Sequence, residues 1–175
     1  MKKRHGIIAS ALAFSILLCQ GCGARGGNEN ITAGMEAIEA LDYDTALASF
    51  AAAGEAGEDP RLRYRGEGIA YLGKTQYADA SAAFEMALAS SSGRVDGMDF
   101  DINYYLATAY YRQGESDKAI AAYDAIIGLR PEERDAYYLR GTIFAQRGRL
   151  EEALADFDKT VSLNTRDYDR LISIY

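Results

Sequence analysis

The chain has 175 residues, of which 49% are hydrophobic, and its 19 basic and 26 acidic side chains give it a formal charge of −7. This length fits one ordinary domain or one short repeat array, and the presence of only two prolines excludes a proline-rich disordered protein. The acidic balance lacks the basic patch that nucleic-acid binding requires, so we expect no nucleic-acid partner.

The first 21 residues have the pattern of an export signal. Three basic residues at positions 2–4 precede an uncharged apolar run of 12 residues, 7–18. A transmembrane helix needs about 20 such residues, so the run is too short to span a bilayer and fits the apolar region of a signal peptide. The segment ends in the sequence LCQGC, in which Gly21 directly precedes Cys22.

This ending resembles the lipobox of bacterial lipoproteins, in which a small residue precedes a cysteine that is diacylated and becomes the mature N-terminus. The resemblance implies that Cys22 is the lipidation site and that the chain is anchored in a bacterial cell membrane, facing the extracytoplasmic side. Two acyl chains on one residue are sufficient for stable anchoring. An ordinary secretory signal that is cleaved nearby is the alternative.

Removal of residues 1–21 changes the chemistry that is available to the chain. The remainder has 16 basic and 26 acidic side chains, a net charge of −10, and it lacks His5 and Cys19. Without a histidine, and with no cysteine besides Cys22, it cannot form a Cys/His zinc site, a Cys–His dyad or a Ser-His-Asp triad. We therefore expect no catalytic residues, no metal site and no cofactor. Residues 22–30 are glycine-rich and polar, which predicts a flexible tether.

The rest of the chain is internally repetitive. Four alanines, separated by 34, 39 and 34 residues, are each followed four residues later by an aromatic residue and preceded twelve residues earlier by a glycine or alanine. The small residue, the alanine and the aromatic residue of the four units are Gly34, Ala46 and Phe50; Gly68, Ala80 and Phe84; Ala107, Ala119 and Tyr123; and Gly141, Ala153 and Phe157.

This spacing resembles the tetratricopeptide repeat, a 34-residue helix–turn–helix unit. The resemblance covers residues 27–60, 61–94, 100–133 and 134–167. It implies that residues 31–175 form an all-α fold, a right-handed α-solenoid of about four such units. The second and fourth repeats have Glu67 and Arg140 where the family usually has leucine.

Two features depart from the regular period. Five residues, 95–99, are inserted between the second and third repeats, and we expect them to lengthen that loop and to include a helix N-cap. Residues 168–175 follow the fourth repeat in register and are predicted to begin a further helix. This helix would be either a cap over the fourth repeat or the start of a fifth repeat.

Tetratricopeptide repeat proteins typically bind peptides or protein surfaces in a concave groove lined by the first helix of each repeat. The resemblance therefore implies a protein or peptide partner and a protein that is not an enzyme. Tyr and Arg are enriched at protein interfaces. The groove positions implied by the repeat are Ile31, Met35, Arg65, Ile69, Tyr104, Thr108, Tyr111, Arg112, Tyr138 and Thr142.

The function predicted from these features is that of a membrane-anchored adaptor or scaffold in the bacterial cell envelope. One alternative is a self-assembling structural scaffold, whose repeats stack end to end or dimerise through terminal helices. Another is the accessory region of a longer envelope protein. The sequence leaves the oligomeric state open.

Overall fold

A computed structural model of the chain describes residues 27–172, with side chains described for residues 27–163. The predicted signal segment 1–21, Cys22 and most of the predicted tether lie outside the described residues, as do residues 173–175. The described part consists of eight α-helices and contains no β-strand. The predicted all-α solenoid is confirmed.

Each predicted repeat supplies one pair of consecutive helices, and consecutive helices pack against each other along the whole array. No helix within residues 27–172 is both long enough and apolar enough to cross a bilayer. The helices are α1 Glu29–Glu39, α2 Tyr43–Ala56, α3 Pro60–Gly73, α4 Tyr77–Ala89, α5 Gly97–Gln113, α6 Ser116–Leu129, α7 Arg134–Gln146 and α8 Leu150–Ile172. The first helices of the four repeats are thus α1, α3, α5 and α7.

Small residues on the first helices admit aromatic rings from the second helices, as the repeat pattern predicts. A Cβ atom added to Gly34 would lie 2.6 Å from the Phe50 ring, and one added to Gly68 would lie 2.5 Å from the Phe84 ring. Phe50 also reaches the next repeat, because a Cβ atom at Gly66 would lie 2.3 Å from the same ring. The Phe50 ring therefore couples the first repeat to the second.

Both residues that replace the usual leucine form ion pairs. Arg63 Nη1 lies 2.6 Å from Glu67 Oε1, one turn further along α3. Arg140 on α7 donates to the two carboxylate oxygens of Asp156 on α8 at 2.6 and 2.8 Å, and it also donates to Asp124 on α6. Asp156 is buried, and its hydrogen bonds with Arg140 raise the pKa of that guanidinium. Charge-assisted hydrogen bonds thus join the third repeat to the fourth.

The five-residue insertion is divided between a loop and a helix. The loop between α4 and α5 covers residues 90–96, and α5, with 17 residues, is the longest of the first helices. Asp96 is the N-cap of α5 and forms a capping box with Asp99, whose carboxylate accepts from the Asp96 N–H at 2.8 Å. Arg61 on α3 donates to both carboxylates, at 2.7 and 2.6 Å. The longer loop and the N-cap are confirmed, whereas the longer helix was not predicted.

The end of the array corrects one expectation. Helix α8 runs without a break from Leu150 to Ile172, so residues 168–172 continue this helix and do not begin a further one. The second helices of the first three repeats have their C-caps at Gly57, at Ser90 and at Arg130, directly before Pro131. Residues 150–172 contain no glycine and no proline, so nothing in this segment terminates the helix.

Candidate protein-binding groove

The first helices of the repeats lie on the inner side of the array. Helix α1 contacts α3 and α3 contacts α5, whereas no such contact joins α5 to α7 or any two successive second helices among the described residues. The first three repeats therefore curve toward their first helices. The resemblance to the tetratricopeptide repeat places the groove on this side.

Between α5 and α7 the groove contains a recess with an apolar floor. Its lining consists of Tyr111 from α5, Tyr123 from α6, and Leu139, Thr142 and Ile143 from α7. Tyr123 and Ile143 are buried, whereas Tyr111 and Leu139 at the rim are exposed. Burial raises the pKa of Tyr123 to about 12, so its hydroxyl is neutral at physiological pH. The recess offers aromatic and aliphatic surface to a ligand.

Hydrogen bonds fix the rim of this recess. The side-chain amide of Gln146 on α7 donates to the Tyr111 hydroxyl on α5 at 3.0 Å. The Thr142 hydroxyl donates to the backbone carbonyl of Tyr138, one turn earlier on α7, at 2.8 Å. Tyr111 is therefore held across the gap between two repeats, which lowers the entropy that it loses when a ligand binds.

An exposed cation lies on the same helix as the rim residue Tyr111. Arg112 follows Tyr111 in the last turn of α5. Within the described part of the chain, no ion pair joins Arg112 to another side chain. Its guanidinium can therefore form charge-assisted hydrogen bonds with a carboxylate of a ligand.

The remaining predicted groove residues of the first two repeats are less accessible. Ile31 is only 5% exposed and packs with Phe50 in the core, so its side chain belongs to the core and not to the groove surface. Met35 and Ile69 are half-buried and pack against the two hydrophobic clusters of the array. Thr108 is a predicted groove residue of the third repeat. In contrast to these residues it is exposed, and it lies on α5 one turn before Arg112.

Arg65 contacts the next repeat, whereas the Tyr104 ring packs within its own repeat. Arg65 Nη2 on α3 is 3.6 Å from Asp101 Oδ2 on α5. The Tyr104 ring packs edge-on against Phe100 and Tyr123, with centroid distances of 5.1 and 6.2 Å. Burial raises the pKa of the Tyr104 hydroxyl. Arg65 therefore contributes to packing between the second and third repeats, and Tyr104 contributes to packing between α5 and α6.

Tyr138 lies on a different surface from Tyr111. It is exposed, and its ring centroid lies 6.0 Å from that of Phe157 on α8. Together with Thr160 and Val161 these residues line a recess at the end of the array. We call the outward side of α7 and α8 the C-terminal face. Its apolar residues are Tyr138, Leu150, Leu154, Phe157 and Val161.

Leu139 and Gln146 are two residues of the groove that the repeat positions did not predict. They lie three residues before and four residues after Thr142, which places all three on the same side of α7. This helical spacing from a predicted groove residue is the signal that would have found them.

A family model for the tetratricopeptide repeat matches residues 65–133 and 104–167, which together make up more than half of the chain. The chain belongs to the tetratricopeptide repeat family. The match omits the first repeat, although α1 and α2 form the same kind of helix pair as the later repeats. Family and fold make the chain a scaffold for protein–protein interaction, and proteins of this family are typically non-catalytic adaptors.

Solved structures with the same fold include the crystal structure of MamA, which is 23% identical, with a TM-score of 0.71 over 80% of this chain and 79% of that chain. A tetratricopeptide repeat protein from Parabacteroides merdae ATCC 43184 is 24% identical, with a TM-score of 0.69 over 78% of this chain and 53% of that chain. At these identities the likeness shows the fold alone. No curated protein matches the chain.

Proposed function

We propose that this tetratricopeptide repeat protein is a lipid-anchored adaptor in a bacterial cell envelope, which holds a peptide or protein partner in the groove between α5 and α7. The binding half of the proposal depends on one observation, the recess lined by Tyr111, Leu139 and Thr142, with Arg112 next to Tyr111 in the sequence. An apolar side chain of the partner fits the recess, and a neighbouring carboxylate pairs with the guanidinium.

The anchoring half depends on the sequence around Cys22. Six residues, 23–28, separate this cysteine from α1, and six extended residues span at most about 20 Å. An acylated Cys22 would therefore keep the array close to the membrane surface. The first repeat, residues 27–60, has eight acidic side chains and no basic one, so anionic lipid headgroups repel it. This repulsion favours an array that points away from the bilayer and leaves its groove accessible.

The anchor is tested by the replacement Cys22→Ala. We expect the wild type to fractionate with membranes and to yield an acylated N-terminal peptide in mass spectrometry, whereas the variant should yield no acylated peptide. A wild-type protein without acyl chains, or an equal membrane fraction for both proteins after a high-salt wash, would refute the anchor.

The groove is tested by pull-down from envelope extracts with the variant Tyr111→Ala/Leu139→Ala. Truncation of a central contact typically costs at least about 1 kcal/mol, so the double variant should recover about a tenth or less of the partner. Met86→Ala is the matched control, because Met86 is an exposed apolar residue on α4, a second helix of the array. Equal recovery by the double variant and the control would rule out this groove assignment.

A further inference from the structure

The C-terminal face exposes several large apolar side chains. Tyr138 is 53% exposed, Leu150 is 63% exposed and Leu154 is 62% exposed. Leu150, Leu154, Phe157 and Val161 follow one another at intervals of four, three and four residues, which aligns them in one stripe along α8. A continuous apolar stripe of this kind indicates a surface that is covered by another protein element.

In the earlier repeats, the residues that correspond to Leu154 are covered by the next repeat. By the repeat spacing, Leu154 corresponds to Ser81 on α4 and Ile120 on α6, and both of these residues are buried. The Ser81 hydroxyl accepts a hydrogen bond at 2.9 Å from Gln113 on the next first helix, α5. Leu154 has no such helix over it within the described residues.

The same comparison holds for Leu150 and Tyr138. Leu150 corresponds to Tyr43, whose ring lies so close to α3 that a Cβ atom added to Gly73 would be 2.3 Å from it. Tyr138 corresponds to Ile31, Arg65 and Tyr104, of which Ile31 is buried and the other two are half-buried. The exposed stripe therefore occupies the positions that, in the earlier repeats, pack against the next helix pair.

The opposite end of the array has a polar face. Thr32, Glu36 and Glu39 on α1 are exposed, and Glu36 corresponds by the repeat spacing to Ile143, which is buried against the preceding repeat. The first turn of α8 is itself acidic. Head-to-tail stacking of two arrays would press the glutamates of α1 against apolar side chains and against other carboxylates, and both contacts cost free energy.

We infer that the C-terminal face is covered by the same face of a second copy of this chain, in a two-fold dimer. This arrangement matches apolar surface to apolar surface and leaves the acidic face of α1 in solvent. A two-fold axis across α8 makes the two copies of this helix antiparallel, so their acidic first turns lie at opposite ends of the interface.

The described apolar side chains of α8 run from Leu150 to Val161, a length of about 17 Å, and a pair of helices is about 20 Å wide. This part of the face measures roughly 340 Å², less than the about 800 Å² per partner that standard stable interfaces bury, so we expect a weak dimer with a micromolar Kd. The dimer does not depend on the lipid anchor or on the groove partner. It leaves the rim residues Tyr111 and Arg112 of α5 accessible.

The test is the molar mass in solution of residues 27–175, which include all eight helices and both hydrophobic clusters. Light scattering coupled to size exclusion should give twice the chain mass at about 0.2 mM, a concentration at which a dimer with a micromolar Kd is almost fully associated. Leu154→Glu should give a monomer with an unchanged helical circular-dichroism spectrum. Tyr138→Ser is the second variant and should also give a monomer. Met86→Glu, which changes an exposed apolar residue elsewhere, should remain a dimer.

Three results would overturn the dimer. The first is a wild-type monomer at this concentration, and the second is a wild-type mass that rises beyond two chains as the concentration increases, which indicates open-ended stacking. The third is a dimer that persists in both Leu154→Glu and Tyr138→Ser. The same measurements on the full chain in detergent would show whether residues 1–26 cover the face in place of a second copy. In that case the full chain would be a monomer, and the inference would be wrong.

Discussion

At the scale of single residues, the most informative side chain is Arg140. It lies where the repeat usually has a leucine, and it joins three helices through Asp124 and Asp156. The sequence shows that this position is unusual. It does not show how the charge of Arg140 is compensated, because Asp156 lies 16 residues away on another helix and becomes its partner only when α7 and α8 pack together.

Replacing Arg140 by the family's usual leucine should destabilise the protein. The change leaves the buried Asp156 carboxylate without its bidentate partner, and breaking a buried pair in this way costs about 3 kcal/mol. The double variant Arg140→Leu/Asp156→Ala should recover most of that loss, because it also removes the uncompensated charge. Urea unfolding at pH 7 measures both effects. A single variant as stable as the wild type would show that the pair contributes nothing.

The N-cap of α5 should make stability depend on acid. The hydrogen bond from Arg61 lowers the pKa of Asp96 from its ordinary value of 3.8 to about 2. Because the pKa is lower in the folded state, the stabilisation by Asp96 is complete above about pH 4 and is lost as the pH falls toward 2. Thermal unfolding at pH 7 should show that Asp96→Asn is less stable than the wild type. The variant should also lose less stability between pH 4 and pH 2, and an equally steep decline would contradict the assignment.

Two tyrosines of α5 show what the sequence could not decide. The repeat spacing placed both Tyr104 and Tyr111 in the groove, but Tyr104 packs between Phe100 and Tyr123, whereas Tyr111 is at the exposed rim. Which tyrosine is covered depends on side chains from α6 and α7. These contacts are distant in the sequence, so the repeat pattern alone could not separate the two roles.

At the scale of helices, the repeat period predicted the four helix pairs because each pair contains both a small residue and the aromatic residue that packs near it. The prediction was incomplete where no local signal exists. The insertion extends α5 as well as its loop, because the Asp96 N-cap lies early in the inserted segment. The predicted break before residue 168 was wrong. The repeat period continues through residues 168–172, but no glycine or proline between residues 150 and 172 terminates α8.

The coupling between the first two repeats can be tested at Gly66. In Gly66→Ala, the new methyl group would lie 2.3 Å from the Phe50 ring, and overpacking of this kind costs about 1–3 kcal/mol. Hydrogen exchange should increase most in α1 and α2, because the first repeat contacts only the second. Gly128→Ala on α6 is the matched control. With no atom within 4 Å of its Cβ position, it should stabilise the protein by about 0.5–1 kcal/mol. Equal effects at both sites would contradict the role of the Phe50 ring in coupling the first repeat to the second.

At the scale of the whole molecule, the array has two different ends. Its first repeat has eight carboxylates and no cation and follows the proposed lipid anchor, whereas its C-terminal face is apolar. A dimer through that face would present two grooves and two anchors. Two linked grooves raise the effective affinity for a partner with repeated segments, because the second binding event is intramolecular.

The most direct test of the central claim is site-specific photo-crosslinking of the full chain in living cells. A photoreactive residue is placed at Tyr111, at Leu139 or at the control position Met86 on α4. We expect the two groove positions to give an adduct with the same envelope protein, and Met86 to give none. The claim that the α5–α7 groove binds a partner would be contradicted by adducts of equal yield at all three positions, or by adducts at Met86 alone.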